Sequence, residues 1–208
     1  MSFIMVIPSV SPISAHECLK TYTGEYEDCY VIPNNETNRG VAGAWNLGVD
    51  QMFAQGKDWL VICSESIRFG ADGYADLKRE LDEAPDNAMA VEADDDLGWH
   101  LIAFRRQVFE KVGYFDELFY PAYYEDNDFS YRYQLAFKTT EEDYPLWPKV
   151  HIDATLIGKA QGLQHVEPID FTALERAYEE KWGGVSPNET FLRPYDNAMF
   201  TFRYVKRR

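Results

Sequence analysis

The sequence predicts an α/β protein in which a mostly parallel central sheet is flanked by helices. Three observations predict it. Apolar runs of strand length alternate with helix-period segments through the first half of the chain. The first run, Phe3 to Ile7, is continuously apolar, as in a strand buried on both faces. The 208 residues, 46% hydrophobic and 15% aromatic, suffice for one sizeable core and do not describe a disordered chain.

The elements follow in order. Pro8 ends the first strand, and Ser14 to Tyr22 reads as a helix. Cys29 to Ile32 is a second strand, closed by Pro33-Asn34-Asn35. Val41 to Gln55 carries Ala44, Leu47, Gly48 and Met52 at helical spacing, with Gly56 as its stop. Trp59 to Cys63 is a third apolar strand. Tyr74 to Leu81 is helical, Ala88 to Val91 and Leu101 to Phe104 are strands, and Arg106 to Val112 is a helix ending at Gly113. Tyr124 to Phe137 is a helix. Residues 138–168 read as irregular, with strand-like pieces near Val150 and Leu156. Phe171 to Trp182 is a last helix with Asp170 as its N-cap. There is no repeat, low-complexity tract or linker before residue 169, so residues 1–168 are expected to form the core and 169–208 a helix and tail packed on it.

A net charge of -15 argues against a nucleic-acid partner, because binding a phosphate backbone needs a basic face. The opening apolar run is too short for a signal peptide or a membrane span, and no basic leader precedes it. Cys18, Cys29 and Cys63 have no metal-like spacing and cannot all pair within the chain, which fits a reducing, cytoplasmic location. The Asn-Glu-Thr triplets at Asn35 and Asn188 are then chance acceptors, and Lys206-Arg207-Arg208 a solvated end.

Ligands of parallel α/β sheets sit beyond the carboxyl ends of the strands. The loops to watch are therefore Pro8-Ser9, Pro33 to Arg39 and Ser64 to Arg68. Asn38-Arg39-Gly40 opens a glycine-containing helix, which suits either a phosphate at its N-terminus or close packing on the sheet. Ser64-Glu65-Ser66 reads either as a sparse oxygen-ligand site or as a polar strand end. Asp94-Asp95-Asp96 is a solvated loop or a supplier of a metal ligand. Trp99 is a sugar-stacking ring beside His100 or a core aromatic, and His165 a structural histidine or a metal ligand.

The densest signal is Val112-Gly113-Tyr114-Phe115-Asp116-Glu117, followed by Glu125-Asp126-Asn127-Asp128. One acid at a helix start is ordinary capping; three exceed what capping needs. Asp128 and Arg132, four apart, can pair on one face, Glu125 aligns with Asp128, and Asp126 points elsewhere. That leaves Asp126 as the carboxylate free to act as a base.

Together these pieces resemble the family-2-like glycosyltransferases with the GT-A fold. The resemblance spans about residues 3–137 and rests on Pro8-Ser9, on Asn38, Gly40, Ala44, Asn46 and Gly48, on Arg105, Arg106, Phe109 and Val112 to Glu117, and on Glu125-Asp126-Asn127-Asp128. It implies a hexosyl- or related transferase moving a sugar from a nucleotide diphosphate sugar to a hydroxyl acceptor (a glycan, protein or small molecule), with inversion and Asp126 as general base beside Glu125. Pro8, Ser9, Asn35, Asn38, Arg39, Asn46 and Arg68 would hold the donor, and Trp99 and His100 the acceptor. A divalent cation, Mn²⁺ or Mg²⁺, would sit on Glu65, Ser66 and His165. The family's Asp-x-Asp position, however, reads Ser64-Glu65-Ser66, without either outer acid. Either Glu65 and Asp94 to Asp96 compensate, or Arg39 and Arg68 supply the positive charge, or activity is lost. A catalytically silent nucleotide- or sugar-binding module is the alternative. A nucleotidyltransferase ranks last, since Pro8 to Pro12 is not a Gly-rich basic loop. The tail from 169 onward is expected to shape the acceptor site or a homodimer contact.

Overall fold

The computed structural model describes residues 1–24, 28–94, 97–138, 147–157 and 168–196. A six-stranded sheet has the order β2-β1-β3-β6-β5-β7, formed by β1 (Phe3–Ser9), β2 (Cys29–Pro33), β3 (Trp59–Cys63), β5 (Ala90–Ala93), β6 (Gly98–Arg105) and β7 (Lys149–Val150). β1 pairs parallel with both β2 and β3. β6 alone runs the other way, antiparallel to β3 and to β5. It follows β5 by a short loop, and so short a connection cannot make the crossover that a parallel pair requires. Because β6 is reversed, its beginning lies at the same end of the sheet as the carboxyl ends of β1 and β3, with Leu101 opposite Cys63. A second ribbon joins β4 (Ile67–Phe69) to β8 (Ala154–Leu156). The residues of β4 fall where the sequence suggested only a loop.

The helices are α1 (Pro12–Thr21), α2 (Gly40–Gln55), α3 (Gly73–Glu83), α4 (Arg106–Val112), α5 (Glu125–Phe137) and α6 (Phe171–Trp182). Asp170, Gly56 and Gly113 act as the sequence predicts, whereas β1 continues through Pro8 to Ser9. Ser11 caps α1 by accepting from the Ser14 amide, and Asp170 caps α6 by accepting from the Ala173 amide. Gly56 and Gly113 end α2 and α4 at φ of +65° and +87°.

Successive β-strand side chains point to opposite faces, so β1, β3 and β6 each feed two cores. Ile4, Val6, Leu60, Ile62, Ile102 and Phe104 pack with α2, α4 and α5 on one face. Phe3, Met5, Trp59, Val61 and Leu101 pack with α1 and α3 on the other. α2 lies close against β1: a Cβ on Gly48 would meet Val6 Cγ1 at 2.6 Å, so only glycine permits this approach. A third, smaller core holds α6 through Leu174, Tyr178 and Trp182 against Phe119. Among the described residues no helix is long and apolar enough to cross a membrane.

Candidate functional site

The two sequence blocks meet through one side chain. Asn46, on α2, accepts from the Phe115 amide at 2.9 Å and donates to the Phe115 carbonyl at 3.0 Å and to Glu117 Oε1 at 2.9 Å. This buried carboxamide reads the backbone of the Gly113–Glu117 turn in both directions, and its polar atoms are engaged in doing so. Farther along, the Pro121 carbonyl accepts from the Val41 amide at 2.8 Å. Gly40, at φ +73°, allows that approach, since a Cβ there would lie 2.9 Å from the same oxygen. Asn38 Oδ1 takes the Gly40 amide at 2.9 Å. The first amides of α2 are thus met by protein groups, and the segment leading into α5 is tied to the end of the sheet where β1 and β2 finish.

Tyr123 and Tyr124, directly before α5, both hold positive φ, +79° and +71°. Left-handed backbone costs a non-glycine residue of order 1–3 kcal/mol and persists where its surroundings impose it. From this bend the three acids diverge into different environments.

Asp128 is fully buried. Its Oδ2 accepts from Arg132 Nε at 2.8 Å, and its Oδ1 accepts from Trp182 Nε1 at 2.8 Å and pairs with Lys181 Nζ. Lys181, itself 4% exposed, also reaches Asp116 Oδ2 at 2.6 Å. Burial acts to raise the Asp116 pKa, but the Lys181 contact outweighs it and holds the carboxyl below its ordinary value. The chain Asp116–Lys181–Asp128–Arg132 therefore locks the turn, α5 and α6 together. Glu125 is buried, and its Oε2 has no hydrogen-bond partner among the described residues. Burial, aided by the charge of Asp126, pushes its pKa up to about 8, so it is mostly protonated at neutral pH. Asp126 has no ion pair among the described residues. Its Oδ1 accepts from the Asn127 amide at 2.9 Å, and burial raises its pKa. It lines an open groove of about 430 Å³ with Tyr123, Asn127, Phe171 and Glu175.

The expected donor-side residues sit at the carboxyl end of the sheet. Pro8 and Ser9 close β1 opposite Ile32 and Pro33. Asn35 and Arg39 are exposed in the β2–α2 loop, and Asn38 is partly so. Ser64-Glu65-Ser66 forms a tight turn between β3 and β4, closed by the Ile67 amide on the Ser64 carbonyl at 3.0 Å. The Ser64 amide donates to the His100 carbonyl at 2.8 Å, which brings exposed His100 beside this turn. Trp99 is taken inward. An irregularity in the β5–β6 pairing turns it into the core face, where it meets the rings of Trp45, Phe104, Phe115, Phe129 and Trp147. Of the two sequence readings for Trp99, this packing favours the core aromatic over the sugar-stacking ring.

The residues at the Asp-x-Asp position do not fit a divalent ion. Glu65 is buried, and its Oε2 faces back to β1, accepting from Ser9 Oγ at 2.6 Å and from the Ser11 amide at 3.4 Å. Burial raises its pKa, the reverse of what a metal ligand needs. Among the described residues no group of three His, Cys, Asp or Glu side chains converges. Asp95, Asp96 and His165 lie outside the described residues. Arg68 is the cation at the turn, donating to the Glu65 and Ile67 carbonyls at 2.9 and 2.8 Å.

Lys181 and Trp182 escaped the sequence reading. The signal was present: Leu174, Tyr178 and Lys181 fall at i, i+4 and i+7, so a lysine occupies the apolar stripe of α6.

No protein-family model and no curated protein matches the sequence. Solved structures do match its fold. Residues 1–349 of S. aureus TarS share 12% identity with it at a TM-score of 0.50, over 65% of this chain and 56% of that one. A Pyrobaculum calidifontis mannosyltransferase, solved with GDP-Man and Mn²⁺, shares 14% at 0.49 over 64% and 52%. A glycosyltransferase involved in glycosylation of the PBCV-1 major capsid shares 9% at 0.42 over 68% and 71%. The match spans about half the length of the first two. The fold is GT-A-like, with the mostly parallel central sheet that the sequence implied, here of six strands.

Proposed function

We propose that this chain transfers a sugar from a nucleotide diphosphate sugar to a hydroxyl acceptor, with inversion at the anomeric carbon and Asp126 as general base. The observation that carries the reading is the division of labour among the three acids of α5. Asp128 is held by two cations and an indole, Glu125 is buried and mostly protonated, and Asp126 alone combines an unpaired carboxylate with a position on the groove. A base must reach the proton it removes and must carry charge at working pH.

In the reaction, the acceptor oxygen attacks the anomeric carbon as its proton passes to Asp126. The bond from that carbon to the diphosphate oxygen breaks, and the nucleoside diphosphate leaves with the electron pair. Charge developing on the leaving diphosphate needs fixed positive partners. The side chains at the β3–β4 turn do not suit a metal, so we assign that role to Arg68 and to the exposed Arg39. Ser9, Asn35 and Asn38 border the donor on the β1 and β2 ends, and Asn46 acts by holding the Phe115 turn.

The test is calorimetric titration with a panel of nucleoside diphosphates, each with and without Mn²⁺. Binding of one base regardless of metal is the expected result. Failure of every nucleotide to bind would end the transferase reading.

A further inference from the structure

We infer that the groove between the start of α5 and the start of α6 is a subsite for a neutral pyranose ring, with Tyr123 and Phe171 as its stacking platform. The inference rests on the transferase reading and identifies the acceptor class that the site around Asp126 takes.

Three independent features support it. Tyr123 and Phe171 are 48% and 52% exposed, yet their ring centroids are only 4.8 Å apart. Two large aromatics left half in water, side by side at a groove, offer apolar faces to a ligand. Secondly, Tyr123 holds its place at φ +79°, in a conformation that glycine would adopt without strain. Backbone strain at a residue facing a cavity points to a use for that side chain. Thirdly, the polar lining is Asp126, Glu175, the Asn127 carboxamide and the Tyr124 and Ser186 hydroxyls, and among the described residues it includes no cation.

That combination selects the ligand. The C–H face of a pyranose lies on aromatic rings, while its hydroxyls donate to carboxylates and accept from an amide N–H. Two acids repel phosphorylated or carboxylated acceptors. A quaternary ammonium shares the taste for rings and acids, but it has no hydroxyls to use the carboxamide. A groove of about 430 Å³ has room for one or two sugar rings. The position also suits the chemistry, since a hydroxyl of the docked ring lies within the groove that Asp126 lines. The acceptor platform is thus Tyr123 and Phe171 in place of Trp99, whose ring is packed against five others.

The experiment is saturation-transfer NMR on the full chain with the methyl glycosides of glucose, galactose, mannose and N-acetylglucosamine, and with tetramethylammonium as competitor. Saturable transfer to at least one glycoside, strongest at ring C–H protons, is expected. Phe171→Ala should weaken it about three- to tenfold, the range expected for loss of one aromatic contact, and Phe171→Tyr should restore it. Tyr123→Gly removes the second ring without straining the bend and should weaken binding likewise. Absence of saturable binding to all four glycosides, unchanged affinity in folded Phe171→Ala and Tyr123→Gly, or displacement by tetramethylammonium would each overturn the subsite. Nucleoside diphosphate titration of the same sample separates the two ideas. Nucleotide binding without glycoside binding removes the subsite and leaves the transferase reading. Glycoside binding without nucleotide binding supports the subsite and removes the transferase reading.

Discussion

The acids at the start of α5 and the acid in the β3–β4 turn lie in two of the segments where the sequence suggested chemistry, and the fold treats them oppositely. In α5, neighbours sort three carboxylates into three states: Asp128 enclosed by Arg132, Lys181 and Trp182, Glu125 buried and neutralised, Asp126 on the groove. In the turn, the single carboxylate of Glu65 is drawn inward by Ser9 and the Ser11 amide and joins β1 to β3. The difference teaches that an acid's role follows from the donors around it. A carboxylate surrounded by hydrogen-bond donors becomes a structural part, and one left with a cavity in front of it keeps its chemistry.

The comparison breaks most visibly at Asp126. Asp126→Asn should lower turnover by about 100- to 10,000-fold while leaving the melting temperature and nucleoside diphosphate affinity near wild type. Turnover that survives the substitution would move the base elsewhere. Asp128→Asn should do the reverse. It leaves Arg132 without its buried carboxylate and Lys181 with Asp116 as its remaining counter-charge, and denaturant unfolding should show a loss of about 3–5 kcal/mol, with α6 loosened first.

Glu125 sharpens the contrast through pH. Its carboxyl ordinarily titrates near 4.5 and is pushed up to about 8 in the fold by burial and by Asp126. Between those values the folded chain keeps a proton that the unfolded chain has lost, so stability falls as pH rises through that window. Glu125→Gln should flatten this part of the stability–pH curve, with a gain on the order of 4 kcal/mol at pH 8. An unchanged slope between pH 5 and 8 would show that Glu125 titrates normally. The smallest effect is expected at Glu65. Glu65→Gln keeps the shape of the latch and should cost about 1 kcal/mol or less. Nucleotide affinity, with or without Mn²⁺, should be unaltered; Mn²⁺-dependent affinity that vanishes in this variant would make Glu65 a metal ligand after all.

Local signals in the sequence were strong where a single element carries its own instruction. The continuous apolar run of β1, the cap Asp170 and the stops at Gly56 and Gly113 were all legible, because strand burial and helix ends depend on a few adjacent residues. The pairing of Asp128 with Arg132 was legible for the same reason, being a four-residue spacing on one helix. β4 was not, since its partner β8 lies more than eighty residues away and three residues carry too little pattern alone. The side taken by Trp99 was open in the sequence, because an irregularity in the β5–β6 pairing sets which face its ring takes.

What the sequence by itself determined is the alternation of strands and helices, the parallel start of the sheet and the presence of a surplus acid cluster at one helix start. These follow from periodicity and spacing, which are properties of neighbouring residues. Tertiary structure alone decided that β6 runs backwards between β3 and β5, that Asn46 holds the Phe115 turn, that Lys181 reaches across from α6 to claim Asp116 and Asp128, and that Glu65 turns inward. Each depends on groups from distant parts of the chain coming within hydrogen-bond reach. Burial then makes those contacts decisive, since a charge removed from water must find a partner or give up its ionisation.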